Sequence, residues 1–243
     1  MRKMYTVAAM ALVVAGCSDA PETPRAAPSS APAPVAAPAG NGVAALTADQ
    51  ILARAKAALV KAGSFHVAGT TIEDGEKLAA DLRVSGPDVA GSLSTGPARV
   101  ELLAVGGHRY IKPNEAFWSI TGAGLQAHAI AQRVGDRWVK VDPADQSLTD
   151  MFSVATVDNV LAADGKLTKG TTQDIAGVPT IGLVDGGEPG GTLYIATSGE
   201  AYPVRLAGPD GSGATFGEFG HRFAEIKAPA AGDVVDAASL PGK

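Results

Sequence analysis

Only one cysteine, Cys17, occurs in the 243 residues, so the chain has neither an internal disulfide framework nor a cysteine-based metal knuckle. Aromatic residues are scarce at 5%, yet 46% of the chain is hydrophobic. An aliphatic content that high excludes disorder over most of the length. A positive surplus is missing too: the net charge is −5, and no basic run offers a nucleic-acid groove or a polybasic membrane patch. No apolar run approaches the roughly 20 residues that span a bilayer. The four histidines, His66, His108, His128 and His221, are scattered singly, without His-x-x-x-His spacing for zinc. The sequence has no Gly-x-Ser-x-Gly elbow and no Gly-Lys-Ser/Thr phosphate loop. Gly211-Ser212-Gly213 and Gly122-Ala123-Gly124 lack the third glycine of a dinucleotide fingerprint. Asp142 with Asp145, and Asp233 with Asp236, sit among loop formers and read as solvated turns. His66 and His221 fall in expected strands and read as surface or hydrogen-bonded structural residues. No catalytic residue, metal site or cofactor is expected, and the chain is not read as an enzyme. An envelope hydrolase is the weakest of three readings, kept because triads assemble across sequence.

What is present begins at the N-terminus. Met1-Arg2-Lys3, the apolar stretch from Tyr5 to Ala15 and the small residues before Cys17 have the layout of a secretory signal peptide over residues 1–16. Val14-Ala15-Gly16-Cys17 resembles the lipobox of bacterial lipoproteins. That resemblance implies cleavage before Cys17, a diacylglycerol thioether on its sulfur and a further acyl chain, such as palmitate, on the new amine. Two or more chains hold a protein firmly where one holds it marginally, since each buried methylene contributes about 0.8 kcal/mol. The expected location is therefore the extracytoplasmic face of the cell membrane, through a lipid anchor.

Within the segment 17–44, which follows the leader, the chain from Ser18 to Gly42 is largely Ala, Pro and Ser, too poor in large apolar residues to pack and biased by its prolines to extended polyproline II. About 25 residues at roughly 3.1 Å each make a tether reaching at most some 75–80 Å.

The remaining residues, 45–243, read as one domain. Thr47-Ala48-Asp49-Gln50 fits a capping box, Ile51, Leu52, Ala55, Ala58, Leu59 and Ala62 share one helical face, and Gly63 ends the helix. The pattern then changes to period two. Strands are expected over 64–72, 77–85, 89–95, 98–105 and 108–112, with Asp74-Gly75 turning the first hairpin. Residues 122–164 lose the alternation and read as short helices at 125–134, 143–152 and 157–163, with a strand at 137–141. Strands resume at 167–175, 178–184, 192–197, 203–207, 214–219 and 221–227. One helix, a run of strands, a helical insert and more strands make an α+β fold: a curved antiparallel sheet packed over an N-terminal helix and a central helical insert. Its apolar side is either filled or hollow, and that alternative decides the function.

Ala62-Gly63-Ser64-Phe65-His66-Val67-Ala68-Gly69-Thr70 resembles the first helix–strand unit of the LppX/LprAFG lipoproteins of actinobacteria. So do Val105-Gly106-Gly107-His108-Arg109-Tyr110-Ile111-Lys112 with Phe117-Trp118, and the central Gly135-Asp136-Arg137-Trp138-Val139-Lys140-Val141. Leu193-Tyr194-Ile195-Ala196, Tyr202-Pro203-Val204-Arg205-Leu206 and Phe216-Gly217-Glu218-Phe219-Gly220 resemble the family's C-terminal strands. The resemblance covers roughly residues 45–240, in order and spacing rather than in one diagnostic motif. It implies a half-barrel like that of the LolA and LolB carriers, with a hydrophobic cavity for the acyl chains of a lipid or glycolipid. The long Ala/Pro tether and the paucity of aromatics depart from the family.

Within such a half-barrel, alternation nominates Val67, Leu82, Val84, Leu93, Leu102, Tyr110, Ile195 and Leu206 for the cavity wall, joined by Trp118 and Phe216 from the aromatic set. The expected function is lipid or glycolipid binding for transport or assembly at the cell envelope, with an unidentified transport partner and no nucleic acid. The alternative is a non-carrier interaction or sensory module with the same fold and a filled core.

Overall fold

Thr47 opens the first helix because its side chain satisfies a backbone donor that the helix leaves free. Its Oγ1 accepts from the Gln50 N–H, and the Gln50 side chain accepts from the Thr47 N–H at 3.1 Å. The helix, α1 (Ala48–Ala62), buries Ile51, Ala55, Ala58 and Leu59 and stops at Gly63, whose φ of 73° is left-handed. The computed structural model describes residues 40–240 except 74, 122, 123 and 189. The leader, Cys17, the tether before residue 40, Asp74 and Gly122-Ala123 lie outside the described residues.

Period-two alternation then yields β1 (Ser64–Glu73), β2 (Glu76–Ser85), β3 (Asp88–Thr95), β4 (Ala98–Val105) and β5 (His108–Pro113). A helical stretch follows: α2 (Glu115–Ile120), α3 (Ala127–Val134), the short strand β6 (Trp138–Lys140), α4 (Gln146–Asp150) and α5 (Val157–Val160). The second run comprises β7 (Leu167–Ile175), β8 (Val178–Asp185), β9 (Gly191–Ala196), β10 (Pro203–Ala207) and β11 (Gly213–Gly217), and β12 (Val234–Asp236) comes last. All twelve form one open, curved sheet in the order β12-β6-β5-β4-β3-β2-β1-β11-β10-β9-β8-β7. Every pairing is antiparallel except β12 with β6. The α+β expectation is met: helices line one face of a largely antiparallel sheet. Consecutive hairpins join β1 to β5 and β7 to β11, and the two runs meet where Thr70 to His66 pair with Gly213 to Gly217.

The inward faces of the strands, α1, α2, α3 and the 152–161 segment share one buried apolar cluster. Phe65, Ile51, Leu59, Leu102, Ile111, Leu161, Leu183 and Ile195 are its largest fully buried members.

Two expectations need correction, and two elements, β12 and α2, were not expected. Residues 221–227 are not a strand. They run in turns along the outer face, where the Glu225 carboxylate meets Arg83 Nε at 2.8 Å and Ile226 packs on Ala90, Leu103 and Tyr110. This strap leads to β12, a strand that the alternation does not reveal and that pairs parallel with β6 once the chain has crossed the sheet. The helix α2 is likewise absent from the alternation pattern. Asn114 starts it, its side-chain oxygen accepting from the Phe117 N–H at 2.9 Å. Finally, the insert's second and third helices are shorter than their apolar spacing suggests. Asp142 closes a turn onto the Ala144 N–H and Asp145 caps α4 through the Leu148 N–H, so that helix starts late. Thr156 caps α5 on time through the Asn159 N–H, but the helix stops after Val160.

Candidate functional site

The pairing register sets small residues side by side on the inner face. Ala80 on β2 lies opposite Gly69 on β1, and Gly69 lies opposite Ala214 on β11. Leu93 on β3 faces Ala80 from one side, and Leu206 on β10 faces Ala214 from the other. A floor of Ala, Gly and Ala between two leucine walls leaves a hollow that larger side chains would fill. The hollow measures about 330 Å³ and is bounded further by Val67, Leu82 and Phe216, with Val154 and Val160 opposite the sheet. An adjoining space of about 100 Å³ extends under Leu52, Leu183 and Leu193 and shares Val160, Asp164 and Leu206 with it.

Gly69 is small because its neighbour demands it. A Cβ built there would lie 2.2 Å from the Gly213 carbonyl oxygen and 2.6 Å from the Ala214 Cβ.

Asp185 stabilises the rim of this apolar cleft. Its carboxylate accepts the backbone N–H groups of Asp164 at 2.8 Å, Gly165 at 2.9 Å and Gly187 at 2.9 Å, tying the start of β7 to the end of β8. The N–H groups of Gly187, Asp164 and Gly165 favour the charged form and hold the carboxyl below the usual carboxylate range, against a smaller opposing effect of burial.

The sequence-nominated wall residues separate into groups. Val67, Leu82, Leu93, Leu206 and Phe216 line the apolar cleft. Leu102 and Ile195 are buried at 1% and 0% exposure within the filled middle of the core. Trp118, on α2, packs edge-on against Phe117 in the same core, and its Nε1 has no hydrogen-bond partner among the described residues. Tyr110 is a correction: it sits on the outer face with Ala90, Leu103 and the strap, because the inward position on that part of β5 is Ile111. Gly69, Ala80, Ala214, Val154 and Val160 were missed. Only the register identifies the three small residues, and the two valines belong to the insert, whose direction no alternation fixes.

Val84 faces a different opening. A larger cleft of about 580 Å³ lies at the opposite end of the strands, between Val84, Val89, Ala104 and Arg109 on the sheet and Phe152 and Ala155 on the insert. It continues into a corner of about 190 Å³ beside Gly107, His108, Arg109 and Thr149.

The histidines do not converge. His66 Nε2 contacts the Asp81 carboxylate at 2.9 Å on the outer face, where Asp81 also pairs with Arg83. His128 contacts Glu115 at 3.0 Å between α3 and α2. Among the described residues no group of three or more His, Cys, Asp or Glu is placed to hold a metal ion, and no helix is long and apolar enough to cross a membrane. Asp236 behaves as a turn residue, accepting from the Ala238 N–H at 3.0 Å.

No protein-family model and no curated protein matches the sequence. Among solved structures, the chain is similar to the crystal structure of LprF from Mycobacterium bovis, with 18% identity, 75% of this chain and 97% of that one covered, and a TM-score of 0.45. It is also similar to the lipoprotein LppX of Mycobacterium tuberculosis (20% identity, 72% and 97% covered, TM-score 0.44) and to an uncharacterized conserved protein from Thermus thermophilus (13%, 78% and 98%, 0.39).

Proposed function

We propose that the chain is a membrane-anchored lipoprotein that holds an acyl chain of a lipid or glycolipid in the apolar cleft, for transport or assembly at the cell envelope and without a chemical step. The observation that carries this reading is the Ala80–Gly69–Ala214 floor between Leu93 and Leu206, an apolar hollow kept open by residue size. Each methylene moved from water into such a hollow gains about 0.8 kcal/mol. Grip therefore comes from hydrocarbon contact, and the polar rim at Thr70, Asp164 and Ser212 supplies orientation. Ligand pockets range over about 300–1,000 Å³, so a space of about 330 Å³ suits one chain better than a multiply acylated molecule. In this proposal residues 1–16 are a signal peptide, Cys17 carries the anchor and the chain from there to residue 39 is the tether; the lipid-binding domain begins before the expected residue 45, because Gly40 bridges Ser198 and Val43 is fully buried in the core.

A second reading has its own support. Phe65, Leu102 and Ile195 fill the middle of the inner face, as they would in a non-carrier envelope interaction module.

Organic extraction of the purified full chain followed by mass spectrometry separates the two. Lipid at about one molecule per chain supports the carrier, and a clean extract overturns it in favour of the module. The anchor is tested separately: a lipoprotein signal-peptidase inhibitor should leave the precursor at its full mass, and an unchanged product would overturn processing at Cys17.

A further inference from the structure

Arg109 is half-buried on the inner side of β5, at the junction between the larger cleft and its 190 Å³ corner. Its guanidinium carbon stands 5.7 Å from the centroid of the Phe152 ring. Among the described residues it has no carboxylate within ion-pair distance, unlike Lys56, Lys61, Arg83 and Lys112. An arginine drawn part-way out of water onto an aromatic face has lost hydration without gaining a counter-ion.

A second, independent group points to the same place. The Oγ1 of Thr149 on α4 is buried and has no hydrogen-bond partner among the described residues, although Thr149 lines both the cleft and the corner. A buried hydroxyl ordinarily finds a partner. No carboxylate lines the corner, whose other lining residues include His108 and Lys140.

We propose that the Arg109–Thr149 corner is an anion site for the head of an amphiphile, a phosphate monoester or carboxylate whose short apolar body lies along Val84, Val89, Ala104, Phe152 and Ala155. The guanidinium supplies paired N–H donors to the head oxygens and Thr149 supplies a hydroxyl donor. The larger cleft selects against further negative charge. Asp88 and Asp150 line it, and Asp88 is fixed there by the Gly106 N–H at 3.1 Å, so negative charge carried along the body, beyond the head, would meet two carboxylates. This site lies at the other end of the strands from the Gly69 cleft and does not depend on the lipid-carrier reading.

The test uses the full chain, labelled with ¹⁵N, titrated with hexyl phosphate, hexanol and inorganic phosphate. Hexyl phosphate should shift the amides of Gly107, Thr149 and Phe152 and leave those of Gly69 and Gly213 unmoved. Arg109→Gln should weaken it about tenfold or more and Thr149→Val a few-fold, hexanol binding should not change, and Arg205→Gln should serve as a neutral control of charge. Should Arg109→Gln lose its dispersed spectrum, Arg109→Lys and Thr149→Val carry the same comparison. Inorganic phosphate binding as tightly as hexyl phosphate would overturn the amphiphile in favour of a free oxyanion. Still amides around Gly107, or a folded Arg109→Gln chain that binds hexyl phosphate like the parent, would overturn the site.

Discussion

Gly69 and Gly213 approach across the β1–β11 pairing so closely that a Cβ on Gly69 would fall 2.2 Å from the Gly213 carbonyl oxygen. The contact is to backbone, so it is not relieved by a rotamer change. Gly69→Ala should therefore force the two strands apart and destabilise the fold by about 1–3 kcal/mol, the usual range for an over-packed position. Thermal unfolding by circular dichroism checks this, and an unchanged midpoint would show that the strands yield freely.

Asp185 makes stability depend on acid. Its folded pKa lies below the unfolded value of about 3.9, so its contribution is complete above that value and is lost as pH falls through the folded pKa. Asp185→Asn should lower stability by about 1–2 kcal/mol at neutral pH. The difference from the parent should shrink at the acid end. Urea midpoints at pH 7 and pH 3 measure both effects, and equal losses at the two pH values would refute the assignment.

Ala80 lies on the floor of the apolar cleft. If this cleft holds the acyl chain as proposed, Ala80→Trp should fill the hollow and abolish co-purifying lipid while the chain still folds, read by extraction and mass spectrometry beside a circular dichroism spectrum. A folded variant with an undiminished lipid load would place the acyl chain elsewhere.

Tyr110 anchors the strap on the outer face. Tyr110→Ala should cost about 3 kcal/mol by analogy with other buried aromatic truncations, speed proteolysis between residues 221 and 233, and leave the lipid binding proposed for the Gly69 cleft unchanged. Loss of lipid without faster cleavage would contradict the outer-face placement.

Much of the sheet was legible because alternation and turn residues act locally. Asp81 and Arg83, alternating with Leu82 and Val84, state which side of β2 is wet, and the Thr47–Gln50 box announces α1. Where both faces are apolar, alternation carries no sign. Leu102-Leu103 and Tyr110-Ile111 split between the two faces, since the strap covers the outer one as the helices cover the inner. The strap was unreadable for a related reason: 221–227 holds apolar residues that pack against a sheet without joining it. Half of the nominated wall lines the apolar cleft, and the floor was missed because a row of Ala, Gly and Ala is a property of register between strands far apart in sequence. Arg109 gave no local signal, as its missing counter-ion is a fact about neighbours.

The seam between β1 and β11 also has a consequence for synthesis. Ala68 and Thr215 meet there across 147 positions of chain, while the hairpins on either side close over short turns. The entropy of closing so long a loop grows only logarithmically, by about 0.6 kcal/mol per doubling, so the join is slow rather than weak. Until residue 213 emerges, β1 is an open edge with unpaired N–H and C=O groups, a template for pairing with another nascent copy. A holding chaperone that shields residues 66–70 would act on that interval, and its absence should yield aggregates seeded by β1.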